Sequence, residues 1–315
     1  MMSATPSTAP TVRLSQPQPE RTRTLFQDGL RYLLRDRLTL AALTVLATLT
    51  LICALGPPVV ENLLQVDVNR TNSANRFLPP GTEGHPLGTD HLGRDQLIRL
   101  MYGGQVSLAI AYSASLMIIL IGIVLGLLSG YYGGRIDDLI TWAVTTLNSI
   151  PPLFILLVVA ALWQPNAPTL ILILALTGWT GTTRLVRAEV LSFKERDYVL
   201  AARALGARDR HLLISHIVPN LLSIVIVTAT IIAGNLILIE SGLSFLGVGV
   251  QPPVPTWGNM LTDSRTFFAT GVHLVVWPGL MIMITVMCFY LLGDGLRDAL
   301  DPHRVRLGSP PRGSS

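Results

Sequence analysis

Long stretches without a single acidic or basic side chain constrain this chain more than any other feature. Leu38 to Pro58 carries none, nor do the residues between Arg99 and Arg135, nor Leu139 to Thr183, and Val272 to Leu292 carries only His273. An apolar run of roughly 18 residues or more is long enough to cross a bilayer as a helix, whereas buried helices of soluble proteins are shorter. The run from Leu139 to Thr183 is too long for one crossing, and Trp163-Gln164-Pro165-Asn166-Ala167-Pro168 supplies a break inside it. A further span is expected from about Leu221 to Phe245, interrupted by Glu240 alone, and Pro278 is expected to kink the last one. The reading is an all-α membrane protein with about six transmembrane helices. Only 13% of the 315 residues are charged, about half the share in a soluble domain, so that charge must be concentrated between the spans.

The position of that charge sets the expected orientation, because Lys and Arg in short loops are retained on the cytoplasmic side. With both termini inside, 18 of the 23 basic residues lie inside and five outside. N-in/C-in is therefore expected, and the net charge of +4 reports topology and not nucleic-acid binding. The first apolar run is too long for a cleaved signal and ends at Gly56-Pro57-Pro58 without a small-residue cleavage pattern, so it reads as an uncleaved anchor. Residues 1–27 read as a disordered cytoplasmic tail, rich in Pro, Ser, Thr and Arg. Residues 28–303 read as the transmembrane domain and 304–315 as a C-terminal tail. Within the domain, 61–104 forms an outside loop and 184–219 a cytoplasmic one. Cys53 and Cys288 fall inside spans and behave as small hydrophobes.

Several function classes are weakened by what the spans contain. A phosphate-cradling loop needs Gly-x-x-x-x-Gly-Lys-Ser/Thr, and the single lysine, Lys194 in Ser192-Phe193-Lys194-Glu195, has no such glycines. An ion-coupled secondary transporter needs ionisable groups near the midplane. Only Glu240 comes close, and at about 30 Å along a helix from Pro219 it is expected as an interfacial carboxylate, paired or hydrated at the outer face. A membrane-embedded enzyme needs a nucleophile with a base. Ser107, Ser113 and Ser115 lie in a span without an intramembrane His or carboxylate in a diagnostic motif, and no catalytic residue is expected.

The cytoplasmic loop is the most informative segment. Tyr198-Val199-Leu200-Ala201-Ala202-Arg203-Ala204-Leu205-Gly206 favours helix and ends on the residue best suited to a left-handed C-cap. A second helical run, Asp209 to Ile217, with Asp209 as its expected cap, leads through Pro219-Asn220 into the fifth span. The alanines leave one helix face nearly bare, open to close approach by another protein.

The segment resembles the EAA loop of binding-protein-dependent ABC importer permeases: Glu-Ala-Ala, three residues, Gly, nine residues, then Ile-x-Leu-Pro. Ala201, Ala202, Gly206 and Pro219 fall at matching positions, while Leu200, His216 and Val218 depart from the pattern. Three further segments resemble the peptide and nickel branch of that family, in the subunit type of dipeptide and oligopeptide importers. They are His85-Pro86-Leu87-Gly88-Thr89-Asp90-His91-Leu92-Gly93-Arg94-Asp95, Leu243 through Pro253, and Leu292 through Pro302. The resemblance implies a type I importer transmembrane domain in a bacterial inner membrane. It also implies a homologous second permease subunit, two cytoplasmic ATPase subunits that bind ATP and Mg, and an extracytoplasmic substrate-binding protein, with no cofactor on this chain. Tyr198, Ala201, Ala202, Arg203, Ala204, Leu205, Gly206 and Pro219 would then couple the chain to its ATPase. Arg94 and Asp95 would be candidates for contact with the binding protein. The cargo is expected to be a dipeptide or oligopeptide, with nickel or glutathione as alternatives.

Other groups have plainer readings. His85, Asp90, His91 and Asp95 lack a recognised metal-ligand spacing and read as a structured turn. The loop Gln251 to Met260 is expected either to dip into the outer mouth or to anchor Trp257 in an aromatic belt. Gly122 and Gly126 suit close helix packing. Asp294, Arg297, Asp298 and Asp301 read as a solvated cytoplasmic helix.

Overall fold

The computed structural model describes residues 33–64, 67–163, 166–262 and 267–300. The expected tails at 1–27 and 304–315, and Asp301 with Pro302, lie outside these residues. The described residues form α1 (Arg37–Leu64), α2 (Gln96–Tyr132), α3 (Gly134–Asn148), α4 (Pro152–Trp163) and α5 (Ala167–Lys194). These are followed by α6 (Asp197–Ala204), α7 (Asp209–Leu212), a π-helical turn (Leu213–Ile217), α8 (Val218–Phe245), α9 (Trp257–Met260) and α10 (Val272–Leu300).

Among the described residues, five helices are individually long and apolar enough to cross a membrane. The expected third span is instead two helices, α3 and α4, bent by 77°. Pro151-Pro152 explains the bend: a proline disfavours helix for the residue before it and lacks the donor that would continue the ladder, while a second proline is tolerated at the first position of a new helix. The pair still makes one crossing. α2 ends where α5 ends, because Lys194 Nζ donates to the Gly130 carbonyl (3.2 Å). The 28 residues of α5 extend about 40 Å from there at 1.5 Å per residue. The chain between Gly134 and Ala167 must therefore return to the opposite end. Of the expected break before α5, residues 164 and 165 lie outside those described; Asn166 caps α5, its Oδ1 accepting from Thr169 N (2.9 Å).

Helices extend further than their charge-free stretches indicate. α1 continues through Pro57 and Pro58 to Leu64 and α2 begins at Gln96, so the irregular part of the outside loop is shorter than 61–104. α5 likewise continues past Thr183 for about three turns, through Arg184, Arg187 and Glu189 to Lys194, and α10 runs unbroken through Pro278.

α2 is the central helix, packed on α5, α8 and α1. Its seam with α5 is cut by glycines at a four-residue spacing, and the sequence pair Gly122 and Gly126 is joined by Gly130. A Cβ at these positions would lie 2.5 Å from Thr182, 2.6 Å from Val186 and 2.8 Å from Val190, respectively. We expect Gly126→Leu to destabilise the subunit by ~1–3 kcal/mol through overpacking, read as a lower thermal midpoint. Gly181→Leu, with open space around it, should leave the midpoint in place; equal melting of the two variants would refute the seam.

Two apolar clusters result. The larger fills the membrane interior between α1, α2, α5, α8 and α10. The smaller lies at the end where α2 and α5 terminate, and joins Tyr131, Val186, Val190, Phe193, Val199, Leu212, Ile217 and Leu221.

Candidate functional site

The smaller cluster is the seat of α6. Val199 is fully buried in it, as are Leu212 and Ile217 from the run leading to α8. Three membrane helices and the loop helix therefore share one packed unit at this end. Polar contacts reinforce it: the Tyr131 hydroxyl donates to Asp209 Oδ1 (2.6 Å), and Arg203 lies over the Tyr131 ring and donates to its hydroxyl (3.4 Å). The expected cap role of Asp209 does not hold. Arg208 occupies the cap position, and the Asp209 carboxylate faces Tyr131, a partner 78 residues away that no local pattern reveals.

α6 ends as expected. Gly206 takes φ +85°, the Ala207 N–H donates to the Ala202 carbonyl (3.1 Å) and the Gly206 N–H to that of Arg203 (3.0 Å). These are the paired bonds of a Schellman motif, which requires a left-handed residue at this point. The outward face of α6 carries Tyr198, Leu200, Ala201, Ala204 and Leu205, all exposed, and Leu205 at 89% exposure touches almost nothing. Ala202 is half-buried against the cluster beneath. Pro219 enters α8 just after the π-helical turn, and the Asn220 side chain donates to the His216 carbonyl (2.6 Å) where the backbone ladder is disturbed. Of the residues expected to couple, all but Pro219 lie on α6 and its cap.

The opposite end holds two built features. The turn His85–Asp95 is a structured loop, as expected. Asp90 accepts from the N–H groups of Leu92 (2.8 Å) and Arg94 (2.9 Å), and Thr89 Oγ1 from Leu78 N (2.9 Å). Gly88 and Gly93 have positive φ, and a Cβ on either would strike the backbone of Leu78 or Asn72. Arg94 and Asp95 are committed inside this loop: Arg94 Nε pairs with Asp90 (2.6 Å), and Asp95 caps α2 through Ile98 N (3.0 Å) while holding His85 (2.7 Å). Their side chains are largely covered.

The second feature decides between the two readings of the loop from Gln251 to Met260 and between the two states expected of Glu240. Trp257 is fully buried and does not anchor at a lipid interface: the loop turns inward and seats α9 against α2, α8 and α10. Its indole N–H donates to the Leu100 carbonyl (3.0 Å) and its backbone N–H to Ser107 Oγ (3.2 Å). Glu240 is also fully buried, so of the two expected states, paired or hydrated, it is the paired one. It accepts from Ser107 Oγ (3.1 Å) and Ser244 Oγ (2.8 Å). A carboxyl does therefore accompany Ser107, but it is hydrogen-bonded as a structural acceptor, with no imidazole in the group.

At the end that carries α6, sequence reasoning passed over Asp137 and Arg187. Arg187 of α5 grips Asp137 of α3 through two bonds of 2.6 Å each. The partners are 50 residues apart, and the one local sign was that Arg184 and Arg187 close an apolar run.

Comparison with known proteins agrees with this architecture. A model of the binding-protein-dependent transport system inner membrane component matches residues 122–306, and one of the N-terminal TM domain of oligopeptide transport permease C matches 24–80. The dipeptide transport system permease protein DppC of Alkalihalophilus pseudofirmus is 35% identical over 88% of this chain and 90% of its own length. The oligopeptide transport system permease protein OppC of Haemophilus influenzae is 35% identical over 89% of each, and that of Escherichia coli 34% identical over 89% of this chain and 92% of its own. A chain of the MetNI methionine ABC transporter, solved in an inward-facing conformation, shares the fold with a TM-score of 0.53 at 18% identity, over 65% of this chain and 97% of that one. With more than half of its length under one family model and relatives of this identity along nearly all of it, the chain belongs to the binding-protein-dependent transport system inner membrane components and is a multi-pass membrane protein.

Proposed function

We propose that this chain is a permease subunit of an ATP-driven peptide importer, forming half of a translocation pathway with a homologous second subunit. The observation that carries this reading is α6: a short helix with an exposed apolar outer face, seated through Val199 in a core shared with α2, α5 and α8. Force applied to that face reaches three membrane helices without a flexible joint. The names of the relatives supply the cargo class. ATP and Mg belong on two partner ATPases docked at α6, and substrate arrives from a binding protein at the end that carries the 67–95 loop. On this reading α6 faces the cytoplasm, in keeping with the N-in/C-in orientation expected from the basic residues. The permease itself performs no chemistry.

Reconstitution tests this. In proteoliposomes holding both permease subunits and both ATPases, peptide uptake should require ATP and the binding protein. Uptake that persists without ATP assigns the chain to ion-coupled carriers instead.

A further inference from the structure

Between α3 and α5, at the end that carries α6, lies an open cavity of about 340 Å³ lined by Thr141, Thr145, Asn148, Ser149, Arg184 and Arg187, among others. We propose that this cavity binds the terminal carboxylate of a peptide in transit, with Arg184 as its ligand; this rests on the peptide-importer reading above.

The volume falls within the range of small-ligand sites. Arg184 stands ten residues before the end of α5 and is the first charged residue after the apolar run that ends at Thr183, where the cytoplasmic loop begins. The two arginines in the wall differ in availability. Arg187 is held in a two-bond ion pair by Asp137, which also accepts from Ser129 and Thr141. Arg184 is exposed and has no ion pair or hydrogen bond among the described residues. Its planar guanidinium suits bidentate capture of a carboxylate.

The rest of the wall suits a peptide backbone. Thr145 and Ser149 spend their hydroxyl hydrogens on carbonyls of their own helix (2.8 and 2.9 Å). Their oxygens keep lone pairs for amide or ammonium N–H groups. The bend after Asn148 opens this face, since a straight α3–α4 helix would continue past the cavity. The site thus offers one cation for a carboxylate beside several neutral acceptors for N–H donors, which describes a free peptide terminus and not a metal ion.

The test uses the complete reconstituted importer, with binding protein saturated by either a tripeptide or its C-terminal amide. The wild type should move the acid about tenfold faster than the amide, the scale of a charge-assisted hydrogen-bonded pair. Arg184→Gln should bring the acid down to the amide rate and leave the amide rate and basal ATPase unchanged; Arg184→Lys should fall between. Equal slowing of both peptides would overturn the proposal and assign Arg184 to a contact with the neighbouring permease, and no change in either would also overturn it. ATP-dependent uptake of neither peptide by the wild type would remove the importer reading along with it.

Discussion

Leu205→Asp should leave the subunit folded in the membrane and cut ATP-driven uptake by tenfold or more. At 89% exposure the Leu205 side chain contributes little to its own fold, and substitutions at such positions usually move stability by less than about 0.5 kcal/mol. An apolar side chain central to a docking face is different: truncating one costs about 2 kcal/mol or more, where each 1.4 kcal/mol is tenfold. Aspartate adds the desolvation of a carboxylate in the partner's groove. Substrate-stimulated ATPase and uptake should fall together in proteoliposomes, with the amount of folded protein unchanged. Gly206→Val should act by another route. Its φ of +85° is left-handed, which costs a branched residue about 1–2 kcal/mol, while nothing lies within 4 Å of the added Cβ. The strain would re-aim the turn into α7 and displace the α6 face without unfolding it. Ala202→Asp is a poorer probe, because Ala202 leans on the cluster beneath α6 and its loss of function would mix docking with packing. Normal transport by Leu205→Asp would sink the docking assignment.

What the sequence discloses follows from the range of the interactions. Spans are legible because lipid demands a continuous apolar run, and the end of α6 is legible because Gly206 and the residues before it act within one turn. Gly122 and Gly126 announce a close contact but not the α5 residues that enter it. Contacts between distant segments leave no local trace: Tyr131 with Asp209 and Asp137 with Arg187 became visible only in three dimensions. Asp209 resembles a cap in sequence because caps are a one-turn pattern, yet the Tyr131 hydroxyl takes its carboxylate. The bend at Pro151-Pro152 could have been read from the prolines alone; the long charge-free run drew attention to the later break at 163–168 instead. Glu240 and Trp257 stayed open in the sequence for a common reason. Hydropathy places an isolated polar or aromatic residue at the interface by default, and it takes the serines and glycines of a facing helix to bring one inside.

That inward-turned group carries the largest expected effect on stability. Gly103 and Gly104 open a slot in α2, where a Cβ would come within 3.3 and 2.6 Å of the Trp257 ring, and the ring fills it completely. Trp257→Ala should destabilise the subunit by ~3–5 kcal/mol, the usual cost of emptying a buried aromatic site. It should also release the loop from Gly249 to Leu261 to proteolysis from the side opposite α6. Trp257→Phe keeps most of the ring and loses the bond to the Leu100 carbonyl, a difference of ~1 kcal/mol. The pair separates packing from hydrogen bonding. Glu240→Ala belongs with the first of them, because it strands the Ser107 and Ser244 hydroxyls in a buried place, at ~1–3 kcal/mol for each, and Ser107 is the group that holds the Trp257 backbone. Glu240→Gln retains a carbonyl acceptor and an amide that a rotated serine hydroxyl can accept, so its cost should be smaller. The order expected in thermal unfolding of the reconstituted subunit is Trp257→Ala lowest, then Glu240→Ala, with Glu240→Gln and Trp257→Phe nearer the wild type. If Trp257→Ala melts with the wild type, the ring does not hold the loop, and α9 is carried by the backbone contacts of its Thr256 cap alone.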